Sequence, residues 1–181
     1  RQEMEIQQEF ISTSLEEHNI LMLANSSKLW DTDQGKAIDF GNLIHEMMSK
    51  IITKDDLNLV VKHYVNQGFI SKTEAINIER IILKIVTHKE ISAFFKKDIT
   101  VFNEREIVDI DNQIIIPDRL VFNEKKEVVI IDYKTGKPSK KHHQQLLKYE
   151  QVLKTMNFKV VHKFLVYINE EIDIVDVSSK K

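Results

Sequence analysis

The sequence predicts an α/β protein in which a mixed central sheet is flanked by helices and preceded by a helical region. Two observations carry that prediction. Apolar residues recur at helical spacing up to about Lys97, and beyond it the pattern shifts to short β-rich runs, of which Val128-Val129-Ile130-Ile131 is the most β-branched. One more helical segment, Lys140 to Met156, then interrupts those runs, so the order is helices followed by β-β-β-α-β-β, which implies a mixed sheet with helices packed on it.

In the first half, Glu3 to about Leu15 reads as a helix and Asn25 to Gly35 as a polar, turn-rich segment. A helix is expected from near Asp39, as its cap, to Ile52, because Leu43, Ile44, Met47, Met48, Ile51 and Ile52 share one face. Further helices are expected over Lys54–Asn66 and, after Gly68 and a Ser71 cap, over Lys72–His88, with a short helical turn at Glu90–Phe95. In the second half, strands are expected over Ile99–Val108, Ile114–Phe122 and Glu127–Tyr133. A loop containing Gly136 and Pro138 leads into the helix Lys140–Met156, whose packing residues are Leu146, Leu147, Tyr149 and Leu153. Strands over Lys159–Ile168 and Ile172–Val177 close the sheet. The division is residues 1–96 as a helical region and 97–181 as the sheet-bearing core, within one structural domain overall.

Composition bounds the function. With 42% hydrophobic and 30% charged residues among 181, the balance is that of an ordinary globular protein. No apolar run approaches the roughly 18 residues of a membrane helix, so no membrane partner is expected. The start, Arg1-Gln2-Glu3, is acidic and polar and reads as no signal peptide, and the lack of an initiator Met suggests a piece of a longer protein. There is no cysteine, which excludes disulfides and thiolate-held zinc or iron–sulfur clusters and fits a cytoplasmic location. Any metal must then rest on oxygen and imidazole. A net charge of −2 means that DNA contact must be local, metal-mediated or helped by a partner. No phosphate-binding Gly-x-x-x-x-Gly-Lys-Ser/Thr loop is present, so the chain shows no ATPase of its own.

The chemistry concentrates in Ile116-Pro117-Asp118 and, thirteen residues further on, Asp132-Tyr133-Lys134. Strand alternation puts Asp132 and Lys134 on one face, and Asp118 with Ile114 and Ile116. If the two strands pair as a hairpin, Asp118 meets Asp132. Two such carboxylates repel unless a cation lies between them, and hard oxygen ligands suit Mg²⁺ or Mn²⁺. Lys134 can then help activate a water or stabilise charge on a phosphate. Read one at a time, these residues are as readily ordinary strand-end acids and a solvated lysine; Asp132 argues otherwise because it ends a strongly apolar strand.

Pro117-Asp118 followed by Asp132-Tyr133-Lys134-Thr135-Gly136 resembles the PD-(D/E)XK nuclease superfamily, and the second string is similar to the nuclease domains of RecB and AddAB helicase–nucleases. Gly41-Asn42-Leu43-Ile44-His45 resembles that family's Gly-x-x-x-His motif, and Gln145-Leu146-Leu147-Lys148-Tyr149 its Gln-x-x-x-Tyr motif. The four stand in the family's order over residues 41–149.

The resemblance implies a restriction-endonuclease-like core that hydrolyses DNA phosphodiester bonds, in an exonuclease domain at the C-terminus of a bacterial recombination-repair helicase–nuclease. The motor would lie in the same or a partner chain. It implies His45, Asp118, Asp132 and the backbone carbonyl of Tyr133 as metal ligands, the imidazole tilting the preference towards Mn²⁺. Lys134, Gln145 and Tyr149 join Asp118 and Asp132 as catalytic residues. Gly41 would let its helix approach the sheet or the DNA closely. The family also places an acid on the first strand, where Glu104 and Glu106 both qualify; alternation cannot choose, and Glu104 is favoured. The basic stretch Lys137, Lys140, Lys141, His142 and His143 suits phosphate contact, although a solvated helix start explains it as well. The alternative to an enzyme is a catalytically inactive DNA-binding or scaffold module of the same fold.

Overall fold

The computed structural model describes residues 33–108, 112, 114–169 and 171–178, with side chains from Phe40 onward. The helix expected at Glu3–Leu15 lies outside the described residues, as do most of the polar segment at 25–35 and Trp30 within it, a residue whose type suggests a core position. Four α-helices are described: α1 (Asp33–Ser49), α2 (Leu57–Asn66), α3 (Lys72–Val86) and α4 (Lys140–Thr155). Seven strands accompany them: β1 (Thr100–Asn103), β2 (Ile107–Val108), β3 (Ile114–Ile115), β4 (Arg119–Phe122), β5 (Glu127–Lys134), β6 (Lys159–Ile168) and β7 (Ile172–Asp176). Among the described residues, no helix is long and apolar enough to cross a membrane.

Helix α1 starts six residues before the expected Asp39, which falls inside it. A glycine such as Gly35 costs a helix only about 1 kcal/mol relative to alanine, and Gln34, Lys36 and Ala37 around it are good helix formers. The segment after it opens with a 3₁₀ turn at Lys54–Asp56, where Asp56 Oδ2 accepts from the Thr53 N–H at 2.7 Å. At α3 the expected Ser71 cap forms a reciprocal box with Glu74: Ser71 Oγ accepts from the Glu74 N–H, and Glu74 Oε2 from the Ser71 N–H.

Five strands form one sheet in the order β1-β4-β5-β6-β7. Only β5 and β6 run parallel, joined through α4; the other neighbours are antiparallel. The fold is a mixed α/β sheet flanked by helices, consistent with a restriction-endonuclease-like architecture. Alternation along β5 divides the core. Val129, Ile131 and Tyr133 pack with α1, α2 and α3, while Val128 and Ile130 pack with Leu146, Tyr149, Val152 and Leu153 of α4. Both faces of β5 are therefore covered, which is why its sequence is a continuous apolar run.

Two of the expected strands are broken. Ile99–Val108 divides into β1 and β2, with Glu104 at φ +46° between them, outside strand geometry. Ile114–Phe122 divides into β3 and β4 around Pro117, which has no N–H to give a ladder. The inner pieces, β2 and β3, pair into a separate two-stranded ribbon. Asp118 consequently stands just before β4 rather than on a strand with Ile114 and Ile116.

Candidate active site

The β4–β5 register pairs Arg119 with Ile131, which brings Asp118 opposite Asp132 at the end of the ladder. Asp118 Oδ2 accepts from the Tyr133 N–H at 2.7 Å. Asp132 is fully buried, and neither of its carboxylate oxygens has a well-aligned hydrogen bond. Lys134 Nζ lies 2.6 Å from Asp132 Oδ2, a charge contact outside hydrogen-bond angles, and Oδ1 has no hydrogen-bond partner among the described residues. Burial, and then the Asp132 charge, push Asp118 up to about 8 despite the Tyr133 bond. Burial also raises Asp132, against the opposing pull of Lys134.

Helix α1 brings His45 to this pair. His45 Nδ1 is 3.5 Å from Asp118 Oδ2, and its ring meets the Tyr133 ring edge-on at 5.9 Å between centroids. Burial, followed by the Lys134 charge, lowers its pKa and favours the neutral imidazole a metal ligand must be. The close approach of α1 depends on Gly41: a Cβ there would stand 2.9 Å from both Thr135 Cγ2 and Thr135 Oγ1, just past Lys134. The loop continues through Gly136 at φ +84°, a conformation that favours glycine, and Asn169 holds it through bonds to the Gly136 N–H and carbonyl.

This arrangement of acids, lysine and histidine coincides with a family match over residues 20–175, to the PD-(D/E)XK nuclease superfamily. The chain belongs to that superfamily. No curated protein matches it. Among solved structures it is similar to SSO0001, at 18% identity over 82% of this chain and 80% of that one, with a TM-score of 0.33.

PD-(D/E)XK nucleases generally use divalent metals. Among the described residues no three histidine, cysteine or acidic side chains are already gathered as a metal shell. The donors nevertheless suit such an ion. Asp132 presents a buried carboxylate oxygen with no partner among the described residues, opposite the half-buried Asp118, and an added cation would relieve both.

Helix α4 carries the Gln-x-x-x-Tyr pair of this superfamily member. Gln145 Nε2 donates to Tyr149 Oη at 2.6 Å, and Tyr149 Oη donates to the Ile116 carbonyl at 3.2 Å. The pair thus grips the backbone two residues before Asp118. Burial raises Tyr149 to about 12, so it remains a donor at neutral pH. Below it, Glu150 accepts from Lys154 and from the nearly buried Lys163 of β6, which ties the helix to the sheet.

Of the two acids beyond β1, Glu104 lies against the site. Its N–H donates to the Asp118 carbonyl at 3.0 Å, and its charge adds to the rise of Asp118. Burial raises Glu104 itself. Because β1 ends at Asn103, the shared strand face expected for Glu104 and Glu106 is not formed, and Glu106 is exposed.

Sequence reasoning missed Arg119. It is fully buried, with Nη1 donating to the Ile51 carbonyl at 2.8 Å and Nη2 to the Ile52 and Phe94 carbonyls at 2.6 and 2.7 Å. Asn103 Nδ2 donates to the Ser49 carbonyl at 2.8 Å from the same side. These bonds fasten the chain at the end of α1, one to two turns beyond His45, to the strand that follows Asp118. The available signal was a lone cation in the apolar string Asp118-Arg119-Leu120-Val121-Phe122.

Proposed function

We propose that this PD-(D/E)XK domain is a divalent-metal-dependent deoxyribonuclease, an exonuclease coupled to a helicase motor in cytoplasmic recombination repair. The observation that carries the catalytic part is the pair Asp118 and Asp132, opposed at the end of β4 and β5 with Lys134 2.6 Å from Asp132 and the buried Asp132 Oδ1 without a partner among the described residues. Two like charges buried face to face are unfavourable unless a cation joins them. Coupling to a motor is supported by the ordered motifs from Gly41 to Tyr149 and by a net charge of −2, which leaves DNA affinity to be supplied from elsewhere.

The residues that would hold the ion are His45, Asp118, Asp132 and the Tyr133 carbonyl. A bound Mg²⁺ or Mn²⁺ would supply charge neutralisation at the phosphate and a more acidic water. The remaining roles belong to the chain. Lys134 offers an N–H donor to charge growing on the non-bridging oxygens. Tyr133 N–H fixes the orientation of Asp118, and Tyr149 with Gln145 holds the segment leading into it. In the reaction a water oxygen bonds to phosphorus as the bond to the leaving sugar oxygen breaks, and that oxygen gains a proton.

The alternative reading is an inactive DNA-binding or scaffold module of the same fold. The test is cleavage of end-labelled linear and circular single-stranded DNA in Mg²⁺, Mn²⁺ or EDTA. Metal-dependent loss of the linear strand with survival of the circle is the expected result. Cutting of the circle would replace the exonuclease by an endonuclease, and no cutting in either metal would favour the scaffold.

A further inference from the structure

The β5–β6 register sets Tyr167 beside Lys134. Alternation places both on the sheet face that α4 covers, and Tyr167 is buried there. Its hydroxyl lies 3.2 Å from Nδ1 of His142, in the first turn of α4, with the two rings 5.7 Å apart. With the phenol O–H donating to Nδ1, the imidazole carries its own proton on Nε2. That N–H has no partner among the described residues. Because Tyr167 pairs with Lys134, this contact sets the ring beside the active-site lysine.

We infer that His142 is a substrate-binding residue, held in orientation by Tyr167, whose Nε2–H donates to a non-bridging phosphate oxygen of a nucleic-acid strand lying against Lys134. The inference rests on the nuclease reading above and adds a contact to it. Burial, and then the Lys134 charge, lower the pKa of His142, so at neutral pH it acts as a directional neutral donor. The cationic contribution comes from Lys134 and from the exposed Lys140 and Lys141. No acid stands in the first turn of α4 to oppose an anion. With Nδ1 occupied and Nε2 protonated, His142 is not set up to take a proton from water, which separates its role from that of a general base.

The contact would be tested by fluorescence anisotropy with a labelled single-stranded oligonucleotide, alongside steady-state cleavage of the same strand. His142→Phe keeps a ring against Tyr167 but has no donor, whereas His142→Gln keeps an N–H near the position of Nε2. Expected is about tenfold weaker binding for His142→Phe, equivalent to about 1.4 kcal/mol. His142→Gln should stay near wild type, and Tyr167→Phe should move part of the way towards His142→Phe. His63→Ala, on the exposed side of α2, should change nothing. In cleavage the loss should appear in KM with kcat little changed. Wild-type affinity in His142→Phe would overturn the inference, since a packing role alone survives in that variant. So would a wild type that binds no oligonucleotide. A wild type that binds through His142 but cuts in neither metal would leave the inference standing and sink the nuclease reading.

Discussion

The Tyr133 N–H donates to Asp118 Oδ2 over 2.7 Å, so the residue next to Asp132 fixes the orientation of the opposing acid. One oxygen of Asp118 is thereby satisfied by backbone, while Asp132 keeps one oxygen with no partner among the described residues. The same short stretch of β5 therefore orients one carboxylate and leaves the other open to a cation.

The pair gives the metal-free protein a defined pH response. Asp118 is raised to about 8 from an ordinary value near 3.8, so between those values the folded state holds a proton that the unfolded chain has released. Stability from this group is full below the unfolded value and is lost as pH rises through the folded one, by at most about 1.4 kcal/mol per pH unit. In EDTA, Tm should fall between pH 5 and pH 8; Asp118→Asn should flatten that slope, and Mg²⁺ or Mn²⁺ at pH 8 should restore Tm. A slope identical in wild type and Asp118→Asn would remove this group from the account.

Arg119 is expected to matter for stability as much as for geometry. Arg119→Met abandons three backbone carbonyls and should cost about 3 kcal/mol or more in urea unfolding. Arg119→Lys should also lose stability, because an ammonium cannot reproduce the planar fork over the Phe95 ring. A change within about 0.5 kcal/mol in either variant would contradict the clamp.

Gly41→Ala puts a methyl group 2.9 Å from the Thr135 side chain, so either that side chain turns or α1 shifts and carries His45 with it; the expected outcome is the shift. Crowding of this kind costs about 1–3 kcal/mol, against about 1 kcal/mol gained in helix propensity. Cleavage should drop, and Thr135→Ala in the same chain should recover most of it by clearing Cγ2 and Oγ1. No recovery in the double variant would show that the glycine serves something other than this approach.

The sheet was legible because its signals are local and strong. The β6 range of Lys159–Ile168 is the expected one, and β5 extends the expected strand by one residue to Lys134. The break at Glu104 was not legible, because Thr100-Val101 before it and Ile107-Val108 after it suit one strand; the break at Pro117 was marked by the proline, whose missing N–H outweighs the Ile114-Ile115-Ile116 run before it. In the site, the hairpin that brings Asp118 to Asp132 followed from spacing and turn signals. The clamp by Arg119, the hold of Tyr149 on Ile116 and the His142–Tyr167 contact did not. Each joins residues far apart in the chain, and the partner in the first two is a backbone carbonyl, which carries no mark in a sequence.

The most direct test of the central claim is a calorimetric titration of Mn²⁺ into the wild-type domain and into Asp132→Asn, with circular dichroism confirming that both are folded. The account predicts saturable binding to the wild type and its loss in the variant. Equal binding by both proteins, or none by the folded wild type, would contradict the claim that the opposed carboxylates at the ends of β4 and β5 form a metal-dependent catalytic centre.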